Sequence, residues 1–229
     1  DQLTNLWHRQ ISGGATNTIS QYQYGYDDAG QRTWVKRASG KGDVYKYDAT
    51  DQLTNVLYEA TNPDTTPTGW TNEVKYFFDA AGNRTSVVST NSGTNTYTAN
   101  NLNQYTNVGG VTYRYDQNGN LTNDASWRYF YDRENRLIRS TNGAVSVTNT
   151  YDAFNRLIER QVGTSKTRFY YDNEWRVIEE RNESDAVLAK YVYGPEIDEP
   201  VRMNRSGTNY YYHAAALGTV MEVTSTNGT

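Results

Sequence analysis

Along most of this chain, aromatic residues recur two positions apart and are followed by an aspartate, a short polar run and a return to apolar positions. The clearest instance is Tyr113-Arg114-Tyr115-Asp116-Gln117-Asn118-Gly119-Asn120-Leu121-Thr122. In an extended backbone Tyr113 and Tyr115 leave the same face. Asp116 sits where a type I turn wants a short acceptor, and Gly119 sits where positive φ brings the chain back. The stretch therefore predicts two strands joined by a tight turn.

The same pattern returns along the chain. Tyr26-Asp27 turns at Gly30, after Tyr22 and Tyr24 on the same face; Tyr45 and Tyr47 lead into Asp48 and Asp51; Tyr76 and Phe78 lead into Asp79 and Gly82. After Tyr115, Asp116 and Gly119 come Tyr131-Asp132 with Asn135, Tyr151-Asp152 with Asn155, and Tyr171-Asp172 with Trp175. A last copy, Tyr191-Val192-Tyr193-Gly194-Pro195, lacks the aspartate. Asn tolerates left-handed geometry next best after Gly, Asp51 less well, and Trp175 worst. Either the turn at Asn173-Glu174 differs in shape, or packing at Trp175 offsets roughly 1 kcal/mol of backbone strain.

Tyr131, Tyr151 and Tyr171 are 20 residues apart, a period that holds two strands, a tight turn and a short link. The links are Asn62 to Pro67, Asn91 to Thr94, Asn142-Gly143, Gly163 to Ser165, Glu183 to Asp185 and Ser206 to Thr208. Fixed and variable turns thus alternate, one kind on each rim of an up-and-down meander. Residues 97–110 keep the aromatic spacing but not the turn. No stretch has helical periodicity. Asp1-Gln2-Leu3-Thr4-Asn5 repeats Asp51-Gln52-Leu53-Thr54-Asn55, and Ser225 to Thr229 is a turn sequence, so the chain reads as a fragment of a longer array.

Composition sharpens this picture. Only 36% of the 229 residues are hydrophobic, with 21 Tyr and 5 Trp and a mean hydropathy of −0.88, which favours sheets whose rings pack while their hydroxyls stay partnered. Four Pro and no Cys exclude a disulfide scaffold or a thiolate metal site. A net charge of −4 and a pI near 5.3 argue against nucleic acid or an anionic membrane as partner. No apolar run nears the roughly 18 residues of a membrane span, and no signal-peptide core is present.

Tyr-Asp, three variable residues, then Asn, Gln or Arg with Leu or Ile resembles the YD repeat of the Rhs family, over nearly the whole chain. Asn103-Gln104-Tyr105-Thr106, Tyr193-Gly194-Pro195 with Asp198-Glu199-Pro200, and Tyr211-Tyr212-His213 with Leu217-Gly218 resemble the segments before the Rhs core-associated region. Bacterial Rhs proteins, the C component of insecticidal toxin complexes and the animal teneurins share the pattern. The resemblance implies a sheet spiralling into a hollow shell that, in bacterial members, encloses a C-terminal toxin. It implies one array over 1–229: repeats with variable loops in 1–96, regular repeats in 97–192, and a lead toward the core-associated segment in 193–229. It also implies a secreted or cell-surface bacterial protein whose signal lies outside this chain. Two departures stand out. Ala214 to Ala216 replace the acidic residue usual between His and Leu-Gly, and the chain stops before the self-cleaving aspartate motif and toxin of family members.

The curl follows without the family. About nine hairpins give roughly 18 strands, some 80 Å flat at about 4.8 Å each, and open sheets of more than about ten strands curl or split. The fold class expected is all-β, a repetitive antiparallel hairpin meander forming a curved sheet or part of a shell. Aromatic rings of neighbouring copies should form ladders on one face, with Gln23, Lys46 and Arg114 on the other. Exposed edges lead us to expect self-association.

No catalytic or metal site is expected, and no cofactor. His8 and His213 lie far apart and read as packed or surface side chains. Turn geometry alone explains the recurring aspartates, and Asp198-Glu199 beside Pro200 reads as a loop contact. Arg136, Arg156 and Arg176, with Glu134, Glu159, Glu174 and Glu179 nearby, read as cross-strand ion pairs. Two functions remain. One is a wall segment that encloses and helps deliver a C-terminal toxin or effector, its partners the rest of the shell and that cargo. The other is an extracellular module binding glycans or a surface protein through exposed Tyr and Trp. An enzyme is a distant third, since no site presents itself.

Overall fold

A computed structural model of the chain describes residues 2–12, 14–215 and 218–226. The expectations resting on Asp1, Ala216, Leu217 and Asn227 to Thr229 fall outside the described residues. Among those described there is no helix, and the chain divides into two compact units, Asp1–Gly110 and Val111–Thr229.

The first unit holds β1 (Asn5–Ser12), β2 (Ala15–Tyr26), β3 (Arg32–Arg37), β4 (Lys41–Tyr47) and β5 (Leu53–Thr61). It continues with β6 (Asn72–Phe78), β7 (Arg84–Ser89), β8 (Gly93–Ala99) and β9 (Tyr105–Val108). Each pairs antiparallel with the next in chain order. Tyr22, Tyr24, Val35, Val56, Leu57, Ala60 and Val74 are buried. The long link after β5 closes on itself through Thr61 and Thr68, and Lys36 Nζ holds Asp64 at 2.8 Å. Between β4 and β5 the register slips at Gly42. A Cβ there would lie 1.7 Å from the Val35 carbonyl oxygen, so only Gly fits. The slip buries Asp43, which Arg37 grips at 2.6 Å and which accepts the Glu59 N–H at 3.0 Å.

The second unit begins with the two-residue strands β10 (Val111–Thr112) and β11 (Arg114–Tyr115), then β12 (Leu121–Asn123), β13 (Arg128–Tyr131), β14 (Leu137–Thr141) and β15 (Ser146–Tyr151). There follow β16 (Leu157–Val162), β17 (Ser165–Tyr171), β18 (Val177–Asn182) and β19 (Val187–Tyr193). The last are β20 (Pro200–Arg205), β21 (Thr208–Ala214) and β22 (Val220–Ser225). From β11 onward all pair antiparallel in chain order. The fold is thus the all-β hairpin meander the repeats predict.

Register sorts the second unit's side chains. Asn149 pairs with Arg160, Arg160 with Thr167, and Phe169 with Glu180, which pairs with Ala189. Asn149, Tyr151, Phe169, Tyr171, Tyr191 and Tyr193 therefore share one face, and Thr150, Glu159, Arg168, Tyr170, Glu179 and Lys190 the other. Ala189 is the one buried hydrophobic residue of this unit among those described. A thin wall with two half-wet faces, not a packed core, is what so Tyr-rich a sequence builds.

Candidate functional site: the aspartate turns and their links

Each motif turn closes the same way. The aspartate N–H donates to the carbonyl four residues on, and the residue three on donates back to the aspartate carbonyl: Asp116 to Asn120 at 3.0 Å and Gly119 to Asp116 at 3.1 Å. The Asp116 carboxylate accepts the N–H groups of Asn118 and Asn120, both at 2.9 Å. The geometry recurs at Asp48, Asp79, Asp132, Asp152 and Asp172. At Asp27 the carboxylate takes the Gln31 N–H at 2.8 Å. The fourth turn residue is left-handed throughout: φ is 85° at Gly30, 81° at Gly82, 87° at Gly119, 61° at Asn135, 66° at Asp51 and Asn155, and 67° at Trp175. A type I turn with a left-handed fourth residue forces a bulge, and the register shifts beside Tyr26, Tyr47, Phe78, Tyr115, Tyr131, Tyr151 and Tyr171.

Trp175 therefore keeps the common turn shape, and of the two outcomes expected there the altered turn is ruled out. Its ring lies 6.4 Å from that of Phe154.

Copies are fastened to one another by two devices. The motif tyrosine donates its hydroxyl to the carbonyl opposite the preceding motif tyrosine: Tyr47 to Arg32 at 2.9 Å, Tyr151 to Leu137 at 2.9 Å, Tyr171 to Leu157 at 2.7 Å and Tyr193 to Val177 at 3.0 Å. Tyr26 finds the Leu3 carbonyl at 2.8 Å, the place Leu53 holds in its own copy. Second, the arginine ending each regular turn lies over the next motif ring: Arg136 over Tyr151 at 5.2 Å, Arg156 over Tyr171 at 5.1 Å and Arg176 over Tyr193 at 5.2 Å. The ring ladders expected from spacing are in the regular copies alternations of Tyr and Arg. Motif tyrosines stand on every second strand, nearly 10 Å apart, too far for rings to touch, and a guanidinium fills the gap.

Those arginines also correct the reading of cross-strand ion pairs. Arg136, Arg156 and Arg176 each place Nε on the aspartate of their own turn, at 2.7, 2.7 and 2.8 Å, because the turn already brings the two residues together. Glu134 and Glu174 add a contact to Arg136 and Arg176 at 2.9 Å. Glu159 and Glu179 do pair across strands, with Arg168 at 3.1 Å and Lys190 at 3.4 Å.

Residues 97–110 also differ from expectation, since the turn is present. Asn100 accepts the N–H groups of Leu102 at 2.9 Å and Gln104 at 3.0 Å, and Asn103 is left-handed. The amide oxygen of Asn serves where a carboxylate oxygen does. Asn182, in a link read as variable, makes the same turn with Ser184 and Ala186 on the other rim. At the end of β21, Ala215 donates to Thr219 at 2.7 Å and accepts from Gly218 at 2.9 Å, with no side-chain acceptor to help.

Neighbouring turns touch as well. The left-handed residue of one turn accepts from the turn before it: Asn103 from Asn83 at 3.0 Å, Asn135 from Asn120 at 2.8 Å and Asn155 from Arg136 at 2.8 Å. This explains Asn where Gly would be less strained. Successive turns on one rim place those residues side by side, and no local turn rule reveals their contact.

The electrostatics follow these bonds. A hydrogen bond from Asn120 holds Asp116 below the usual carboxylate range, and one from Asn83 does so for Asp79. The Arg136 N–H lowers Asp132. At Asp152 and Asp172 desolvation is the largest influence and pushes upward, but the bonds and charge of Arg156 and Arg176, with the N–H groups of Phe154 and Glu174, bring the net shift below the usual range. The carboxylates are stabilised as charged acceptors, the opposite of a poised general acid. His213 Nε2 lies 2.9 Å from Thr224 Oγ1, and His8 meets Tyr22 edge-on. Among the described residues no three His, Cys, Asp or Glu gather as metal ligands. A groove of about 520 Å³ beside Glu159 is lined by Thr150, Arg168 and Tyr170, and Lys166 with Arg168 lowers and neutralises that carboxylate.

The family model described as Teneurin YD-shell matches residues 5–229. Among solved structures, TcdB2-TccC3 without its hypervariable C-terminal region is similar at 13% identity and TM-score 0.52, over 98% of this chain and 13% of that one. The TcdB2-TccC3-Cdc42 structure shows 14% identity and TM-score 0.45, over 100% and 16%. The Photorhabdus luminescens Tc holotoxin pore shows 13% and 0.39, over 96% and 15%. This chain thus spans 13 to 16% of the length of these relatives. No curated protein sequence matches it.

Proposed function

The chain belongs to the Teneurin YD-shell family, and from that premise we propose that it is a wall segment of a secreted or cell-surface shell that encloses and helps deliver a C-terminal toxin or effector. One observation carries this reading: the copies at Tyr151 and Tyr171 spend their tyrosine hydroxyl, aspartate and arginine on themselves or a neighbour. A strip built that way has its polar groups saturated inward and acts as a barrier. Its mechanism is steric, and its partners are further copies of the same motif and the enclosed polypeptide. The likeness to TcdB2-TccC3 supports the fold of such a wall. Glycan binding by motif tyrosines on the sheet face loses support, because their hydroxyls are taken by backbone carbonyls.

Limited proteolysis of the full-length protein tests the proposal. The C-terminal segment should survive protease while the shell is intact and be digested once the shell is unfolded. Digestion at equal rates in both states would refute enclosure.

A further inference from the structure

Two adjacent turns break the pattern at one spot. Where Asn118, Glu134 and Glu174 stand third in their turns, the turn at Asp152 has Phe154; where Gly119, Asn135 and Asn155 stand fourth, the turn at Asp172 has Trp175. The two rings meet at 6.4 Å and 59°, and they are 63% and 57% exposed. Nothing in the fold asks for either. Trp175 is held at a φ of 67° that bulky residues avoid, and strain kept at an exposed position points to use.

Both exceptions also strip Arg156 of partners. Arg136 Nη1 reaches Glu134 at 2.9 Å and Asn155 at 2.8 Å, and Arg176 Nη1 reaches Glu174 at 2.9 Å. Arg156 keeps its Nε bond to Asp152 at 2.7 Å and its place over the Tyr171 ring at 5.1 Å. Among the described residues its terminal nitrogens have no acceptor, since Phe154 replaces the Glu and Trp175 replaces the Asn. Its guanidinium carbon lies 5.5 Å from the Phe154 ring and 5.9 Å from the Trp175 ring.

An exposed pair of rings beside a guanidinium whose terminal nitrogens are free to donate suits a small ligand with an apolar face and an anionic edge. Two side chains fall far short of the roughly 1,000 Å² that a stable protein interface needs. A chain of net charge −4 offers no basic track for nucleic acid. We propose that Phe154, Arg156 and Trp175 form a binding site for a sugar acid, with the C–H face of a pyranose on the rings and its carboxylate on the terminal nitrogens of Arg156. This site adds to the wall reading and does not depend on it: Arg156 keeps its joint to Asp152 and Tyr171, and the site takes only its terminal nitrogens and two rings that the joints do not use.

Calorimetric titration of the whole chain with a galacturonic acid oligomer tests it, with a neutral maltohexaose as control. The expected result is saturable binding of the acidic oligomer, weakened tenfold or more by Trp175→Asn and by Phe154→Glu. Each variant installs the residue found in a neighbouring turn, so the fold should persist, and thermal melting checks that it does. Three results would overturn the assignment: no saturable heat up to about 10 mM oligomer, a range that still detects Kd near 1 mM; parental affinity in both folded variants; or equal affinity for maltohexaose.

Discussion

Tyr151 donates its hydroxyl to the carbonyl of Leu137 at 2.9 Å, joining residues fourteen apart on the adjacent strands β15 and β14. The bond supplies a backbone oxygen on the tyrosine-bearing face with a partner from the next copy. Tyr151→Phe should cost about 1 kcal/mol, read as a melting temperature lower by about 2–4 °C. Tyr170→Phe, whose hydroxyl makes an exposed 3.2 Å contact with Asp185, should change little. Equal losses in both would deny the link its role.

Left-handed positions should divide by whether the side chain is used. Asp51 sits at φ 66° with no bond from a preceding turn among the described residues, so Asp51→Gly should stabilise by roughly 0.5–1 kcal/mol. Asn135 accepts from Asn118 and Asn120 at 3.0 and 2.8 Å, and Asn135→Gly should be neutral or destabilising. Denaturant midpoints of the two variants decide it.

Acid should loosen the turns. Native values of Asp48, Asp79, Asp116, Asp132, Asp152 and Asp172 lie below the ordinary range. Their contribution is thus fully present above the unfolded value near 3.9 and disappears as pH falls through the depressed native values. Melting temperature should be flat between about pH 7 and 5 and fall below about pH 4. Asp152→Asn, which copies the acceptor natural at Asn100, should flatten that fall in part.

Alkali should act through other residues. Burial, with Asp43 nearby, pushes Tyr45 up to about 12; burial and the bond to Asp124 do so for Tyr129, and burial and the bond to Glu180 for Tyr191. These raised values stabilise fully below the ordinary phenol range near 10, and that support is lost as pH rises through 12. Phenolate absorbance should show a late-titrating set coincident with loss of β circular dichroism. Full titration near 10 with the fold intact would contradict it.

Ala215 stands where the other turns carry Asp or Asn, and closes its turn with backbone bonds alone. Ala215→Asp would give the Thr219 N–H a carboxylate acceptor and should raise the melting temperature by a degree or more, with amide exchange slowed at Thr219. An unchanged rate there would show that the acceptor does not form.

The turns were legible because their chemistry is local: an acceptor, two N–H groups and a residue that tolerates positive φ all lie within five positions. Asn100 and Asn182 escaped because the acidic letter was sought instead of the acceptor it provides. The pairing of Arg156 with Asp152 was hidden for a related reason, since only the turn's geometry makes residues four apart in sequence face each other in a sheet protein. The bonds from Tyr151 to Leu137 and from Arg136 to Asn155 are matters of register, and register is set by the bulges beside each motif, which no single copy announces. Trp175 stands out as an exception within its own turn, but its contact with Phe154 depends on the register of neighbouring copies.

The copies at Tyr151 and Tyr171 each carry both halves of the joint: a hydroxyl that reaches backward and a guanidinium that reaches forward. Tongue and groove travel together in one module. Duplication or deletion of a whole module therefore leaves no mismatched seam, and the length of such a strip is free to drift in evolution while the joinery stays the same.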